Sequence, residues 1–267
     1  MSATILIQGL EKRFKSRQAR EHVAIQDVNL EIGAAEFFCL LGPSGCGKTT
    51  VLNIVAGFER PTRGLVALNG APIVAPGADR AVVFQGDDSL FNWLTSLQNI
   101  EFGLRMRGMP KAERRDRASY YIELVGLKGQ EHKHPSELSG GMKQRIQIAR
   151  VLANEPKVLL MDEPFGALDA QTRILMQEQL SRIWQRTKTS VLFVTHDIDE
   201  AIMLGSRVGV MRAGPGSNIK GIVDMDLGQN RSRINADFMR IYSRIYDMIR
   251  EEVLRGLPAA TTEGETS

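Results

Sequence analysis

The chain carries, at residues 42–49, the segment Gly42-Pro43-Ser44-Gly45-Cys46-Gly47-Lys48-Thr49. This segment fits the pattern G-x-x-x-x-G-K-[ST] at every fixed position. It follows the apolar run Phe37–Leu41, which is typical of a buried strand, and it precedes Thr49–Phe58, where apolar residues recur at helical spacing. A glycine-rich turn between a buried strand and a helix is the context that a phosphate loop requires. The loop therefore predicts a nucleotide-binding α/β protein.

Each fixed position of the loop has a chemical task. Glycines allow successive backbone N–H groups to point at a triphosphate without a Cβ in the way, and the N-terminus of the following helix adds its dipole. Lys48 is expected to reach the β- and γ-phosphates, and the Thr49 hydroxyl is expected to ligate Mg²⁺. GTPases, kinases and many ATPases share this motif, so the loop alone indicates only nucleotide binding. The alternative interpretation is a glycine-rich turn followed by chance by Lys-Thr.

Two carboxylates at the end of another apolar strand supply a second part of the site. Val158–Met161 is followed directly by Asp162 and Glu163. Asp162 suits the outer shell of Mg²⁺ through water, and Glu163 suits a general base or positioning group for an attacking water. The alternative is a solvated acidic turn, which the apolar character of the preceding run disfavours.

A second helix start also resembles an anion-binding site. Ser139 precedes the predicted helix 141–153 and can cap it, while Gly140 and Gly141 leave backbone N–H groups accessible. An ordinary N-cap would be the interpretation of an isolated Ser-Gly-Gly. Ser139 lies 23 residues before Asp162 (162 − 139 = 23), and this position favours a functional role for the Ser-Gly-Gly segment.

Composition fits one large α/β protein. The chain has 267 residues, is 43% hydrophobic and has a formal net charge of +3, which is too small to indicate nucleic acid as a partner. No apolar run approaches the roughly 20 residues of a membrane span, and the N-terminus does not resemble a signal peptide. Cys39 lies in an apolar run and Cys46 in the loop, so neither a disulfide nor a metal site is expected.

The order of predicted elements places a helical region inside a sheet. Strands are predicted before residue 85 and again from Val158, whereas the region from about 89 to 154 contains only helical patterns. Alternation of strands and helices after residue 157 indicates a mainly parallel sheet. Asn235–Leu254 has one apolar stripe at helical spacing, which predicts a helix that packs on the core or contacts a partner.

Taken in order, these motifs resemble those of the ATP-binding cassette family. The phosphate loop matches its Walker A motif, Leu138–Met142 its signature and Val158–Glu163 its Walker B motif. The remaining family motifs correspond to the adenine-stacking aromatic Phe14, the Q-loop residue Gln85, the D-loop Phe165–Asp169 and the switch histidine His196. The resemblance covers nearly all of the chain up to about residue 228.

The resemblance implies a P-loop NTPase (RecA-like) core with a mainly parallel sheet. An N-terminal antiparallel β subdomain and an α-helical subdomain, inserted at about residues 89–156, would complete an ATPase domain over residues 1–228. A C-terminal amphipathic helical extension over residues 229–257 and a flexible tail over residues 258–267 would follow.

The family mechanism assigns a role to each matching residue. Two copies would dimerise head to tail around two Mg²⁺-ATP, with Glu163 and His196 catalytic and Asp169 coupling the two sites. Each copy would present its signature residues to the γ-phosphate of the ATP held by its partner. The nucleotide would contact Phe14, residues 42–49 and Thr50. The metal would be held by Thr49, Gln85 and Asp162. The contacts to the partner's ATP would come from the signature residues Ser139, Gly140 and Gly141.

The resemblance also implies partners. A single cassette requires separate transmembrane permease subunits and, through them, a solute-binding protein, and it would lie peripherally at the cytoplasmic face of the inner membrane. The permease is expected at the surface around Gln85–Leu97. The segments Leu90–Leu104 and Phe193–Ala201 are similar to importers of nitrate, sulfonate, taurine or related small solutes, with departures at Asn92 and 213–216. An exporter or lipid-trafficking cassette, and a soluble cassette ATPase acting in translation or DNA repair, are the alternatives.

Overall fold

The computed structural model describes residues 2–15, 21–84, 89–228 and 231–256. Within these ranges the strands are β1 (Ile5–Lys15), β2 (Glu21–Ile32), β3 (Phe37–Leu41), β4 (Arg63–Leu68), β5 (Ala71–Pro72), β6 (Arg80–Val83), β7 (Val158–Asp162), β8 (Ser190–Thr195), β9 (Arg207–Met211) and β10 (Ile219–Asp224). The α-helices are α1 (Lys48–Ala56), α2 (Ser96–Met106), α3 (Lys111–Leu124), α4 (Gly140–Leu152), α5 (Ala170–Thr187), α6 (Ile198–Leu204) and α7 (Ala236–Gly256).

The larger sheet has six strands in the order β10-β9-β3-β8-β7-β6. All neighbours are parallel except β10, which runs antiparallel to β9. Every residue of β3 and β8 is buried, because helices cover both faces of a parallel sheet, and this explains their continuous apolar sequences. The predicted mainly parallel sheet is confirmed.

The N-terminal part of the chain forms the predicted antiparallel sheet. Its strands are ordered β2-β1-β4-β5, and one apolar face joins a core shared with α1. Ile5, Ile7 and Ile25 on this face are essentially inaccessible to solvent. The antiparallel sheet is thus packed against the phosphate-loop helix rather than attached by a linker.

Between β6 and β7 the described chain folds into helices α2, α3 and α4, as the inserted helical subdomain requires. Thr95 begins α2 with a capping box, in which its hydroxyl accepts from Gln98 N and the Gln98 side chain accepts from Thr95 N. Ile100, Ile122 and Ile146 are fully buried where the three helices meet. The boundaries of this lobe at residues 89 and 156 stay predictions.

The C-terminal region contains one element that was not predicted. β10 is half-exposed at the sheet edge and is interrupted by Gly221, so its sequence has neither an apolar run nor alternation. Helix α7 lies against α6 and β9 and contributes Phe238, Ile241 and Ile245 to the larger core. Lys220 Nζ of β10 donates to Met248 O at 2.9 Å, which fixes the helix to the strand. The tail predicted over residues 258–267 lies outside the described residues.

Candidate nucleotide site

The loop between β3 and α1 leaves the N-terminus of α1 open to a ligand. Gly47 takes the cap position with φ 93°, and because glycine has no side chain it cannot cap the first turn of the helix. An ideal Cβ on Gly47 would lie 2.4 Å from Ile25 Cγ2, so only glycine fits there, whereas a Cβ on Gly45 would meet open space. A helix N-terminus without a capping side chain and the open space at Gly45 are what a bound phosphate requires.

Lys48 is held inside this loop. Its side chain is almost fully buried, and Nζ donates to Gly42 O at 2.7 Å and to Pro43 O at 3.0 Å. Cys46 is also buried, which raises the pKa of its thiol. Nζ also lies 4.0 Å from Cys46 Sγ. A buried ammonium held by two backbone carbonyls and a weak thiol contact can exchange those acceptors for phosphate oxygens.

Thr49 and Asp162 meet at the mouth of the loop. The Thr49 hydroxyl, on α1, donates to Asp162 Oδ1, at the end of β7, over 3.2 Å. Burial raises the pKa of Asp162, and the hydrogen bond from Thr49 acts in the opposite direction. Hydroxyl and carboxylate oxygens are hard donors of the kind that Mg²⁺ prefers.

These two oxygens do not make a complete metal site. Within the described residues no group of three or more His, Cys, Asp and Glu side chains is placed to hold a metal. The donor set therefore fits a Mg²⁺ ion that takes its other ligands from phosphate oxygens and water. Gln85, the third predicted ligand, lies outside the described residues.

Glu163 and His196 face each other across neighbouring parallel strands. His196 Nδ1 lies 3.1 Å from Glu163 Oε2, at the carboxyl ends of β8 and β7. Glu163 has φ 45°, a left-handed conformation that costs a non-glycine residue about 1–2 kcal/mol, and its N–H donates to Val194 O at 2.9 Å. The chain thus turns sharply at Glu163 and directs a carboxylate toward the histidine.

A group of charged residues behind His196 was not predicted. Arg173, Asp197 and Glu200 line a cleft of about 40 Å³ together with Glu163, Gly166, Thr195 and His196. Glu200 is nearly fully buried, and this burial raises its pKa. The available sequence signal was the Asp197-x-x-Glu200 spacing directly after the histidine, which marks the start of helix α6.

The signature residues lie at a separate helix start. The Ser139 hydroxyl caps α4 with a long hydrogen bond from Met142 N, 3.4 Å, and Ser139 and Gly140 are exposed. An ideal Cβ on Gly141 would lie 2.8 Å from Thr172 Cγ2 of α5. Among the described residues, no hydrogen bond joins Ser139–Gly141 to the phosphate loop, and the two helix starts belong to different elements, α4 and α1.

Three further predicted residues have the following places. Asp169 caps α5 by accepting from Gln171 N and Thr172 N, and the hydrogen bond from Thr172 lowers the pKa of Asp169. Phe14 is partly exposed on β1, with Lys12 Nζ 4.9 Å from its ring centroid. Thr50 lies in the first turn of α1.

Comparison with known proteins identifies relatives along nearly the whole chain. The ABC transporter family model matches residues 25–166. An uncharacterised ABC transporter ATP-binding protein of Methanocaldococcus jannaschii is 48% identical over 257 residues, which are 96% of this chain and 95% of the relative. A nitrate import ATP-binding protein of Synechocystis is 52% identical over 195 residues, 73% of each chain.

A longer relative and a solved structure complete this comparison. The bicarbonate transport ATP-binding protein CmpC of Synechococcus elongatus is 45% identical over 256 residues, and the match covers 95% of this chain but 38% of that protein. The dimeric structure of an ATP-binding cassette bound to ADP and Pi superposes with a TM-score of 0.71 at 31% identity, covering 83% of this chain and 98% of that one.

Proposed function

The chain belongs to the ABC transporter family, and we propose that it is the ATP-hydrolysing subunit of an importer of small anions. The observation that carries the proposal is the convergence of Lys48, the Thr49–Asp162 pair and the Glu163–His196 pair at one edge of the parallel sheet. This edge offers positive charge for phosphates, oxygen donors for a metal, and a carboxylate for a water.

Each side chain has a defined task in the proposed reaction. Lys48 and the free N–H groups of α1 bind the phosphates and offset their negative charge. Glu163 accepts a proton from the attacking water, and His196 holds the Glu163 carboxylate in position through the 3.1 Å contact. Mg²⁺, when held by Thr49 and Asp162, would supply electrostatic stabilisation of the charge on the transferred phosphoryl group.

We propose that the working form is a homodimer. Ser139, Gly140 and Gly141 lie apart from the phosphate loop of their own copy, and their exposed helix start suits a γ-phosphate presented by another molecule. A dimeric cassette with 31% identity supports this arrangement. Positive helix ends from both copies would then face the same phosphate.

The permease is proposed to dock beside the helical lobe. Within the segment expected to contact the permease, Leu90 is buried in the core, whereas Trp93 is 73% exposed. The Phe91 and Phe102 rings pack against each other at 4.5 Å between centroids, and Trp93 lies beside Phe91. No helix in the described ranges is both long and apolar enough to cross a bilayer. A transmembrane partner at the cytoplasmic face, served by a solute-binding protein, completes the proposed importer.

Small anions are proposed as the solute because relatives named for nitrate import and bicarbonate transport are 45–52% identical. The test is co-purification of the full-length chain with membrane proteins, followed by ATP hydrolysis in proteoliposomes. Hydrolysis should require Mg²⁺ and rise when a solute-binding protein loaded with nitrate, bicarbonate or a sulfonate is enclosed. Recovery of ribosomes or DNA in place of a permease would contradict the importer function.

A further inference from the structure

Arg173 connects two segments on opposite sides of the hydrolytic residues. It lies in the first turn of α5, directly after the D-loop, and its Nη2 donates to Leu168 O at 3.0 Å. From the same position its Nη1 lies 3.6 Å from Asp197 Oδ2, and its Nε lies 3.9 Å from Glu200 Oε1. One guanidinium therefore touches both the segment before Asp169 and the segment after His196.

The acidic partners of Arg173 also fix the two chain neighbours of His196. The Thr195 hydroxyl donates to Glu200 Oε2 at 2.7 Å and accepts from Asp197 N at 3.0 Å. Asp197 Oδ1 in turn accepts from Glu200 N at 3.1 Å. The residues immediately before and after His196 are thus held by the carboxylates that Arg173 contacts, and the position of the imidazole depends on that group of contacts.

The hydrogen bonding of Arg173 is incomplete. Its Nε is buried and has no hydrogen-bond partner among the described residues. Both carboxylates lie beyond hydrogen-bond distance, although guanidinium–carboxylate pairs that stabilise a fold are usually bidentate and shorter than 3 Å. A shift of the guanidinium by about 1 Å would bring both carboxylates within hydrogen-bond distance. A movement at Leu168 that carries Arg173 with it would therefore change the contacts at Asp197 and Glu200.

We propose that Arg173 is a positioning residue that couples the D-loop to the switch histidine. When a second copy engages Asp169, the backbone at Leu168 moves with it and carries the guanidinium toward Asp197 and Glu200. These carboxylates then hold Thr195–Asp197, and hence His196, in the orientation that keeps Glu163 on the attacking water. This inference rests on the proposed ATPase function and adds a contact within one copy that makes turnover depend on dimer engagement.

The test compares variants of the full-length chain by steady-state ATP hydrolysis. Arg173→Met removes the charge and retains a long side chain. We expect kcat to fall about 10- to 100-fold because the reacting groups are misplaced, with KM for ATP within about twofold of wild type. Arg173→Lys, which keeps the charge without the forked geometry, should recover part of kcat. Arg182→Met is the matched control, because Arg182 is exposed on the same helix and pairs only with Glu178 among the described residues.

Two further measurements separate positioning from assembly or folding. In a Glu163→Gln background, Arg173→Met should still form the ATP-dependent dimer, as measured by size-exclusion chromatography. Asp197→Asn preserves the cap of α6 and removes the charge. Because both changes break the same contact, the kcat of the double variant with Arg173→Met should be no lower than that of the slower single variant. Arg173→Gln replaces Arg173→Met in these assays if the methionine variant does not fold.

The outcomes distinguish the inference from the proposed function. If wild type hydrolyses ATP and Arg173→Met has the same kcat, the coupling role is wrong. Multiplicative losses in the double variant, or loss of the trapped dimer, would also overturn it. If wild type itself does not hydrolyse ATP under any of these conditions, the proposed function fails instead.

Discussion

The N-termini of α1 and α4 are two helix starts with similar chemistry and opposite surroundings. At α1, Gly47 supplies no capping side chain, Lys48 is buried in the loop, and the Thr49 hydroxyl donates to Asp162 at the end of β7. At α4, Ser139 is exposed and accepts one 3.4 Å hydrogen bond. The first helix start is surrounded by the reactive groups of its own copy, whereas the second faces outward.

This difference indicates that one copy holds a complete binding loop but only part of a hydrolytic site. The carboxylate, histidine and lysine are fixed by adjacent strands, so they are present before any partner arrives. Under the proposed function, the signature residues contribute where a second copy brings a phosphate to them. Four experiments test this contrast.

The strongest test of the α1 side is Glu163→Gln. Loss of the general base should lower turnover by about 10²- to 10⁴-fold while ATP binding remains, because Lys48 and the loop are unchanged. Phosphate release and equilibrium binding of a fluorescent ATP analogue measure the two quantities. Glu178→Gln, the same change on the exposed face of α5, is the control and should hydrolyse ATP normally. Near-normal turnover in Glu163→Gln would refute its catalytic role.

Mixing two inactive variants tests whether the α4 side acts in the partner. Lys48→Ala should lose ATP affinity, and Ser139→Arg should block the signature surface, so each alone should be inactive. A mixed dimer contains one site with an intact loop from one copy and an intact signature from the other. Random pairing should restore roughly a quarter of wild-type activity if the two sites act independently.

The control for this mixture is Lys48→Ala combined with Ser139→Arg in the same chain, which leaves no loop–signature pair intact in any dimer with itself. A mixture no more active than its separate components would show that Ser139 acts within its own copy. Unchanged ATP binding in Lys48→Ala would instead contradict the phosphate-loop interpretation.

A smaller effect separates the capping and ligand roles of Ser139. Because its 3.4 Å cap bond is long, Ser139→Ala should lower the free energy of unfolding by only about 0.5 kcal/mol, yet slow ATP turnover substantially. Thr95→Ala removes the capping box of α2 and should lower stability by about 1 kcal/mol with normal turnover of the isolated chain. Urea denaturation and phosphate release measure both. Equal ATP turnover in Ser139→Ala and Thr95→Ala would show that the Ser139 hydroxyl only caps α4.

The smallest expected effect concerns the thiols. Burial raises the pKa of both Cys39 and Cys46, so at a given pH less thiolate is present than in a free cysteine. At about pH 8 the thiols of the folded chain should react slowly with a disulfide reagent. In the denatured chain two thiols per molecule should react, which is the number of cysteines in the sequence. Rapid reaction of Cys46 in the folded chain would show that the phosphate loop opens in solution and exposes the thiol that is buried in the structure.

The parts of the site that sequence predicted are those with local patterns. The phosphate loop, the strand ending in Asp162 and Glu163, and the Ser-Gly-Gly helix start each lie in a few consecutive residues with a fixed chemical task. Helix α5 and strands β8 and β9 lie in the region after residue 157 where alternating strands and helices were predicted, because their apolar patterns end at polar or glycine residues.

The parts that were not predicted depend on contacts between distant segments. Arg173 is an ordinary helical residue in sequence, and only the packing of α5 against α6 brings it to Asp197, the residue that caps α6. The apolar residues before α2 resemble one another in sequence, yet Leu90 is buried and Trp93 is exposed, because the turn directs them differently. Strand β10 lacks a pattern of its own and forms by pairing with β9.

The strand order has a consequence for protein engineering. The phosphate loop follows β3, His196 follows β8, and the carboxylates end β7, and these three strands are adjacent in the order β3-β8-β7. Their spacing of about 4.8 Å is set by main-chain hydrogen bonds, which are insensitive to side-chain identity. Helices α2 and α3 carry none of the residues of this centre, so these two helices can be redesigned or exchanged between cassettes to accept a different membrane partner without altering the reaction centre. Transplanting the centre itself would require moving all three strands as one block.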